Sequence, residues 1–357
     1  MAVHNGVKTR PPHIQRLITI CIIKHIALVL KMNRNQTMIL GVAIVILAAA
    51  GGLYVLQSRA SSGKTSLVVS TTTSLYDTGV LDVVEEAFEE ESDVDLYFIS
   101  VGTGLAITHA QRGDADMILV HAPSKERAFM EDGHGVCRKI IAYNFFSIVG
   151  PGEDPAGIEG MSPVEALQTL VQLGREGSAV WVSRGDDSGT HTKEKGLWAE
   201  AGFDVNELVE EGWYREAGAG MGKTLQIADE FGAYTLTDMG TYLKYYKDGL
   251  IGLEVQVGAG EELINVYSAI AVSEGSNPDA NFEGAIEFIE FLASGEGQSI
   301  FAGYGVDTYG TALFNPAVSL LSDGGDPTTA SWIEAAAYFD GSECPADYRA
   351  GQTKLYR

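Results

Sequence analysis

The strongest constraint on this chain is a unit that recurs along it: a short apolar run, a turn of Ser, Thr or Gly, then a segment with helical spacing. The first instance begins with Ser66 to Ser70 and turns through Ser70-Thr71-Thr72-Thr73-Ser74. A helix follows in which Val80, Leu81, Val84, Ala87 and Phe88 share one face, with Asp82, Glu85, Glu86, Glu89 and Glu90 opposite. The second instance runs from Val94 to Val101, through Gly102-Thr103-Gly104, into a helix reaching Gln111. Asp116 to His121 reads as a third strand, and Pro123-Ser124 opens the next helix. Ile140 to Val149 is a long strand closed by Gly150-Pro151-Gly152. Such alternation predicts an α/β protein with a parallel sheet covered on both faces. Ligands in such sheets sit at the carboxyl ends of the strands, where these turns lie.

A second series follows Pro151. Met161 to Gly174 reads as a helix with Val164, Leu167, Leu170 and Val171 on one face. The apolar run Ala179-Val180-Trp181-Val182 then leads into Ser183-Arg184-Gly185-Asp186-Asp187-Ser188-Gly189-Thr190-His191, and a helix from Lys193 to Ala201. A turn of this kind aims unpaired backbone N–H groups at whatever lies before the helix. Ser188 and Thr190 add hydroxyls, and Arg184 adds a fixed charge with a fork of donors, a set that suits a small oxyanion. Asp186 and Asp187 cannot both face a dianion, so at least one is expected to orient Arg184 or cap the helix. In the earlier Ser/Thr turn one cap would use one hydroxyl, whereas several stand in a row. The two turns are expected to face each other across a cleft. His121, at a strand end, reads as structural.

Gly218-Ala219-Gly220-Met221-Gly222-Lys223-Thr224 superficially resembles a phosphate-binding loop. Ala217 stands where a glycine is needed and no adequate strand precedes it, so nucleotide binding is rejected. Ala233 to Thr237 is a strand ending in Asp238, and Gly240 starts a helix. Ile264 to Val272 is a long apolar strand, followed by a helix with Phe282, Ala285, Ile286, Ile289 and Leu292 on one face. Residues 295–310 are glycine-rich, and the stretch beyond them reads as loosely organised. The two long strands bracket the middle of the chain. They divide it into lobe I, residues 65–148 and 265–322, and lobe II, residues 149–264, with a C-terminal tail at 323–357. Two crossings between lobes allow closure on a ligand.

Charge is unevenly distributed. Residues 1–60 hold Lys8, Arg10, Arg16, Lys24, Lys31, Arg34 and Arg59 and no acid, which leaves 48 acids against 17 bases in the remainder, a net charge of −31. A body this acidic repels nucleic acid. Acidic surface with few lysines fits a halophile, since at molar salt the Debye length is about 3 Å and only contact donors act on an anion. Of three cysteines, Cys21 lies outside the presumed folded part, while Cys137 and Cys344 could pair. The sequence has no CxxC and no His/Cys cluster with metal spacing, and no cofactor is implied.

Thr37 to Leu56 carries no charge and is long enough to span a bilayer. Lys24, Lys31 and Arg34 precede it, which puts the N-terminus in the cytoplasm and residues 60–357 outside. Residues 1–36 form a basic extension, 37–56 a membrane anchor in preference to a cleaved signal, and 57–64 a small polar linker. No cysteine follows the span to carry a lipid. Residues 1–31 resemble neither element, and Met32 and Met38 are alternative starts.

Ser70-Thr71-Thr72-Thr73-Ser74, Val101-Gly102-Thr103-Gly104, Gly113-Asp114-Ala115-Asp116 through Val120-His121, Ser183 through His191, and Tyr234-Thr235-Leu236-Thr237-Asp238 occur in this order. Over about residues 65–310 the chain resembles the tungstate-binding substrate-binding proteins of ABC transporters, relatives of phosphate and molybdate receptors. The resemblance implies a two-lobed type II periplasmic-binding-protein fold, with mixed sheets flanked by helices and the ligand in the interlobe cleft. It also implies delivery of tungstate, and sometimes molybdate, to a membrane permease driven by a cytoplasmic ATPase. The family's binding positions correspond to Thr72, Thr73, Ser74, Thr103, Arg184, Ser188 and Thr190. The anchor and the C-terminal tail depart from the family pattern. Two rival readings remain. One is a receptor for phosphate or sulfate. The other is a serine hydrolase suggested by Gly185-Asp186-Asp187-Ser188-Gly189, which would need a separate His and Asp on a barrel of antiparallel strands.

Overall fold

The computed structural model describes residues 64–356 apart from 259, 323 and 324. The expected N-terminal extension, membrane segment and Cys21 lie outside the described residues. Among the described residues no helix is long and apolar enough to cross a membrane.

Strand β1 (Thr65–Thr72) leads through a single helical turn, α1 (Thr73–Tyr76), into α2 (Val80–Glu91). Then come β2 (Val94–Val101), α3 (Thr103–Arg112), β3 (Met117–Val120) and α4 (Pro123–Glu131). β1 lies between β2 and β3 and pairs parallel with both, Val69 facing Phe98 on one side and Met117 on the other. This is the parallel arrangement that the β–α alternation predicts. It ends at β3, because the neighbour of β3 is β9 (Ile264–Val272), which runs antiparallel to it. β9 returns from the middle of the chain, so it enters the sheet at the end where β3 leaves it. Its nine residues are all buried, as an interior strand with two covered faces requires.

β4 (Gly135–Gly150) is sixteen residues long and belongs to both halves of the molecule. Its first part pairs antiparallel with β9; from Phe146 to Gly150 it pairs with β7 (Thr235–Asp238) and β8 (Glu254–Gly258). The strand order is β10-β4-β9-β3-β1-β2, β10 being Asn315–Pro316. A separate parallel pair joins β5 (Trp181–Ser183) and β6 (Tyr214–Glu216). Several apolar clusters result, two of them large. Leu67, Val69, Phe88, Phe288, Leu292 and Phe301 fill one, and Ile148, Leu170, Trp181, Trp198, Trp213 and Leu236 fill the other. The fold is thus a two-lobed α/β architecture with mixed sheets flanked by helices.

In the second half, α5 (Pro163–Arg175) starts from a capping box, Ser162 with Glu165. α6 (Gly189–Glu200), α7 (Met221–Phe231) and α8 (Met239–Lys247) follow. α9 (Phe282–Ala293) covers the first sheet, and the glycine-rich stretch after it forms α10 (Gly295–Gly303), capped by Ser294.

The segment expected to be loosely organised is ordered against the first sheet, over β4 and β9. Asp326 caps α11 (Pro327–Ala337), which buries Ile333 and Ala337 against Ile140, Ile264 and Val266. Beyond it Glu343 accepts from Lys139 Nζ at 2.6 Å and from Ile140 N at 3.0 Å. The fully buried Arg138 donates to Glu126 at 2.8 Å and to the Glu343 carbonyl at 2.7 Å. An Ala/Thr-rich helix carries little hydrophobic pattern, which explains why its packing is hard to read in advance. Cys137 and Cys344 are both free and buried. Burial pushes their thiols up, that of Cys137 to about 12.

Candidate oxyanion site

The two hydroxyl-bearing turns meet. Arg184 leaves β5 fully covered, at 1% exposure, and its Nη2 donates to Thr73 Oγ1 at 3.1 Å. The same nitrogen donates to Asp186 Oδ2, while Asp186 Oδ1 accepts from Ser188 N at 3.2 Å. Asp186 therefore orients the guanidinium, as one of the two acids was expected to do. Asp187 turns the other way, with φ at 57°, and its side chain pairs with Lys125, which also donates to the Asp187 carbonyl at 3.1 Å. Ser188 caps α6 by accepting from His191 N at 3.2 Å. Burial, with help from Lys195, lowers the His191 pKa.

The Gly-Thr-Gly turn presses on the same place. Gly104 N donates to the Asp187 carbonyl at 3.3 Å. A side chain at Gly102 would stand 3.2 Å from the Asp186 carbonyl, and one at Gly104 would collide with the Asp187 carboxylate. These glycines are small because two backbones meet there. α7 also points inward: Gly220, its N-cap, lies 3.6 Å (measured from a hypothetical Cβ) from Thr73 Oγ1. The N-terminal ends of α3, α6 and α7 thus gather around Arg184 and Thr73. Each brings backbone N–H groups without intrahelical partners and roughly half a positive charge.

Several buried polar atoms are left without a partner. Among the described residues, eight buried side-chain nitrogen or oxygen atoms have no hydrogen-bond partner in the protein. Five of them are here: Arg184 Nε and Nη1, Thr103 Oγ1, Thr190 Oγ1 and His191 Nε2. An orphaned buried donor costs about 1–3 kcal/mol, so such a concentration marks a place built for another partner. The chemistry of these atoms, two guanidinium N–H groups and two hydroxyls with helix N-termini, fits a small tetrahedral anion.

The sequence-derived residues are not all equivalent. Arg184, Thr73, Ser188, Thr103 and Thr190 lie in or beside this cluster. Thr72 is occupied as the cap of α1, accepting from Leu75 N at 3.4 Å. Ser74 is fully buried and its hydroxyl contacts His121 Nε2 at 3.2 Å. Sequence reasoning missed Lys125, which resembles any solvated helix lysine, and Gly220, set aside with the false nucleotide loop. It also missed Glu194, whose buried carboxylate accepts from Trp181 (2.8 Å), Ser183 (2.9 Å), Tyr214 (2.7 Å) and Trp198 (3.2 Å). Glu194 ties α6 to β5 and so fixes the turn between them. Lys244, from α8, reaches across to the Asp77 carbonyl. A cavity of about 580 Å³ lies elsewhere, between Lys139, Ser294 and Tyr356. Its Lys139 is already paired with Glu343.

A chain with two sheet-bearing lobes joined through a shared strand, and unpartnered buried polar groups between them, is a solute-binding protein in architecture. Residues 58–296 match the PBP superfamily domain, and the chain belongs to that superfamily. Within it, a putative ABC transporter anion-binding protein of Haloferax volcanii is 45% identical over 72% of this chain and 74% of its own length. The tungstate-binding protein TupA of Peptoclostridium acidaminophilum is 38% identical over 72% of this chain and 87% of its own. The solved structure of the tungstate-binding protein TupA from Desulfovibrio alaskensis G20 superposes with a TM-score of 0.60, at 39% identity, over 71% of this chain and 98% of that one. A domain of this superfamily places the chain among extracytoplasmic solute-binding proteins.

Proposed function

We propose that this chain captures tungstate, with molybdate as a second ligand, outside the cell and hands it to an ABC permease driven by a cytoplasmic ATPase. The observation that carries the reading is the buried Arg184, whose Nε and Nη1 lack partners, as do the buried hydroxyls of Thr103 and Thr190 on the adjoining turns. Arg184 supplies the full countercharge. Thr73, Thr103, Ser188 and Thr190, with the backbone N–H groups of the Thr72–Ser74 turn, complete the cage. Charge-assisted bonds of this kind are about twice as strong as neutral ones. Lobe I is read as residues 65–148 and 265–322 and lobe II as 149–264, closing through the contacts of Arg184 with Thr73 and of Gly104 with Asp187. The segment 37–56 is read as the membrane anchor. Acidic residues on the outer surface suit a high-salt exterior.

Ligand protonation favours this class over hydrogen phosphate. Asp186 is turned onto Arg184 and Ser188 N, and Asp187 onto Lys125, so each carboxylate is already drawn to a cation, which weakens it as an acceptor for a ligand proton. A fully deprotonated dianion needs only donors. The hydrolase reading is disfavoured on similar grounds. Ser188 is a helix cap with no imidazole on its hydroxyl. Ser74, His121 and Asn265 have a relay-like connectivity, but a neutral amide gives an imidazolium no countercharge, and burial lowers the His121 pKa to about 4. Competition calorimetry with tungstate, molybdate, sulfate and phosphate tests the reading. Tungstate is expected to bind most tightly and phosphate least; protein indifferent to tungstate refutes it.

A further inference from the structure

The hydrogen-bond polarity behind Ser74 is set from one unambiguous acceptor. The Leu313 carbonyl accepts from Asn144 Nδ2 at 3.2 Å, so Asn144 turns its Oδ1 toward Asn265. Asn265 Nδ2 donates to that oxygen at 2.8 Å and to the Tyr267 hydroxyl at 2.9 Å. Asn265 Oδ1 then accepts from His121 Nδ1–H at 2.8 Å. A neutral imidazole carrying its proton on Nδ1 has a lone pair on Nε2. The Ser74 hydroxyl, 3.2 Å away, must therefore donate to it. The ring is clamped as well: Tyr267 and Phe146 stack on it at centroid distances of 4.8 and 6.0 Å. It also lies against Gly189, the first residue of α6, where a Cβ would stand 2.6 Å from Nε2. His121 thus touches both oxyanion turns at once.

We infer that His121 is a positioning residue that fixes the spacing between Ser74 and Gly189, and hence the anion size the cage accepts, while holding the Ser74 proton away from the ligand. The inference rests on the oxyanion reading of the site. It changes the role of Ser74: the residue offers its backbone N–H, and its hydroxyl is not a ligand donor while His121 is neutral. Burial keeps the ring neutral, Arg184 adding to this and Asp186 opposing it. Tyr267, the other titratable group on the ring, is held far above the usual phenol range by burial and stays protonated.

The test combines two readouts on the full chain. Two-bond ¹H–¹⁵N correlation on histidine-labelled wild type is expected to show His121 protonated at Nδ1 and bare at Nε2 at neutral pH. Calorimetry with tungstate and sulfate is expected to show the affinity ratio falling at least tenfold in His121→Phe, which keeps the ring but loses the acceptor. His121→Gln, whose amide oxygen can take the Ser74 proton, should restore the ratio to within threefold. An Nε2–H tautomer, or a ratio unchanged in His121→Phe, overturns the inference. If His121→Phe does not fold, the wild-type tautomer decides. Wild type that binds no oxyanion counts against the functional reading, and the tautomer then still decides the hydrogen-bond polarity.

Discussion

Replacing Arg184 by Ala should abolish most anion affinity. Nη2 is shared between Thr73 and Asp186, which leaves Nε and Nη1 for the ligand. Two hydrogen bonds to a charged partner are worth about 1.5–3 kcal/mol each, so their loss corresponds to about 10²–10⁴-fold in Kd. Removing the guanidinium also leaves Asp186, at 17% exposure, facing a dianion without its countercharge, which pushes the loss toward the upper end. Thr103→Ala removes a single hydroxyl, and its expected loss is about 10–150-fold. Arg184→Gln keeps much of the volume and a donor for Thr73 without the charge, and should fall close to Arg184→Ala. Isothermal titration with tungstate at one fixed salt concentration measures all three. Melting of the unliganded variants checks that each is folded. Equal losses below about tenfold for Arg184→Ala and Thr103→Ala would refute the assignment of Arg184 as the countercharge.

Acid should weaken the unliganded protein through His121. Its folded pKa, about 4, lies below its ordinary value of 6.5, so its contribution is complete above pH 6.5 and is lost as pH falls toward 4. The full loss is about 3 kcal/mol, read as the difference between urea titrations of wild type and His121→Gln, because Glu194 and Asp238 shift in the opposite sense. Glu194→Gln should lower Tm by several degrees, since an amide cannot accept from the four donors that surround the carboxylate. Gly104→Ala should weaken tungstate binding only modestly with little change in the unliganded melt, because its methyl meets the far end of the exposed Asp187 side chain, which can swing aside. Potassium chloride should raise Tm by screening the surplus of acids.

Much of the fold was legible because its signals are local. Leu67, Val69, Val84 and Phe88 announce a strand and a helix by spacing alone, and β9 keeps the bounds its apolar run implied. The direction of β9 is not a local property; it depends on where the chain returns from, and β–α alternation could not reveal it. The meeting of Arg184 with the Ser/Thr turn was legible for a similar reason, since a guanidinium in a Gly/Ser turn has few purely local partners. His121 was not, because its hydrogen bond goes to Asn265, over a hundred residues away in sequence, and through it to Asn144. Gly102, Gly104 and Gly189 read as ordinary turn glycines until the opposing chain segment is seen. The packing of α11 was hidden for want of large side chains.

β4 gives the molecule a particular kind of joint. One strand is bonded to β9 in its first part and to β7 and β8 at its far end, with register irregularities at Ile140/Ala142 and Ile148/Val149 that add twist. Such a ribbon can wind and unwind, but it cannot slip by one residue without turning every side chain to the opposite face. It acts as a torsion bar rather than a loose pivot. Any turning of one half against the other must therefore be taken up as twist in β4, which keeps Arg184 and Thr73 on one fixed heading.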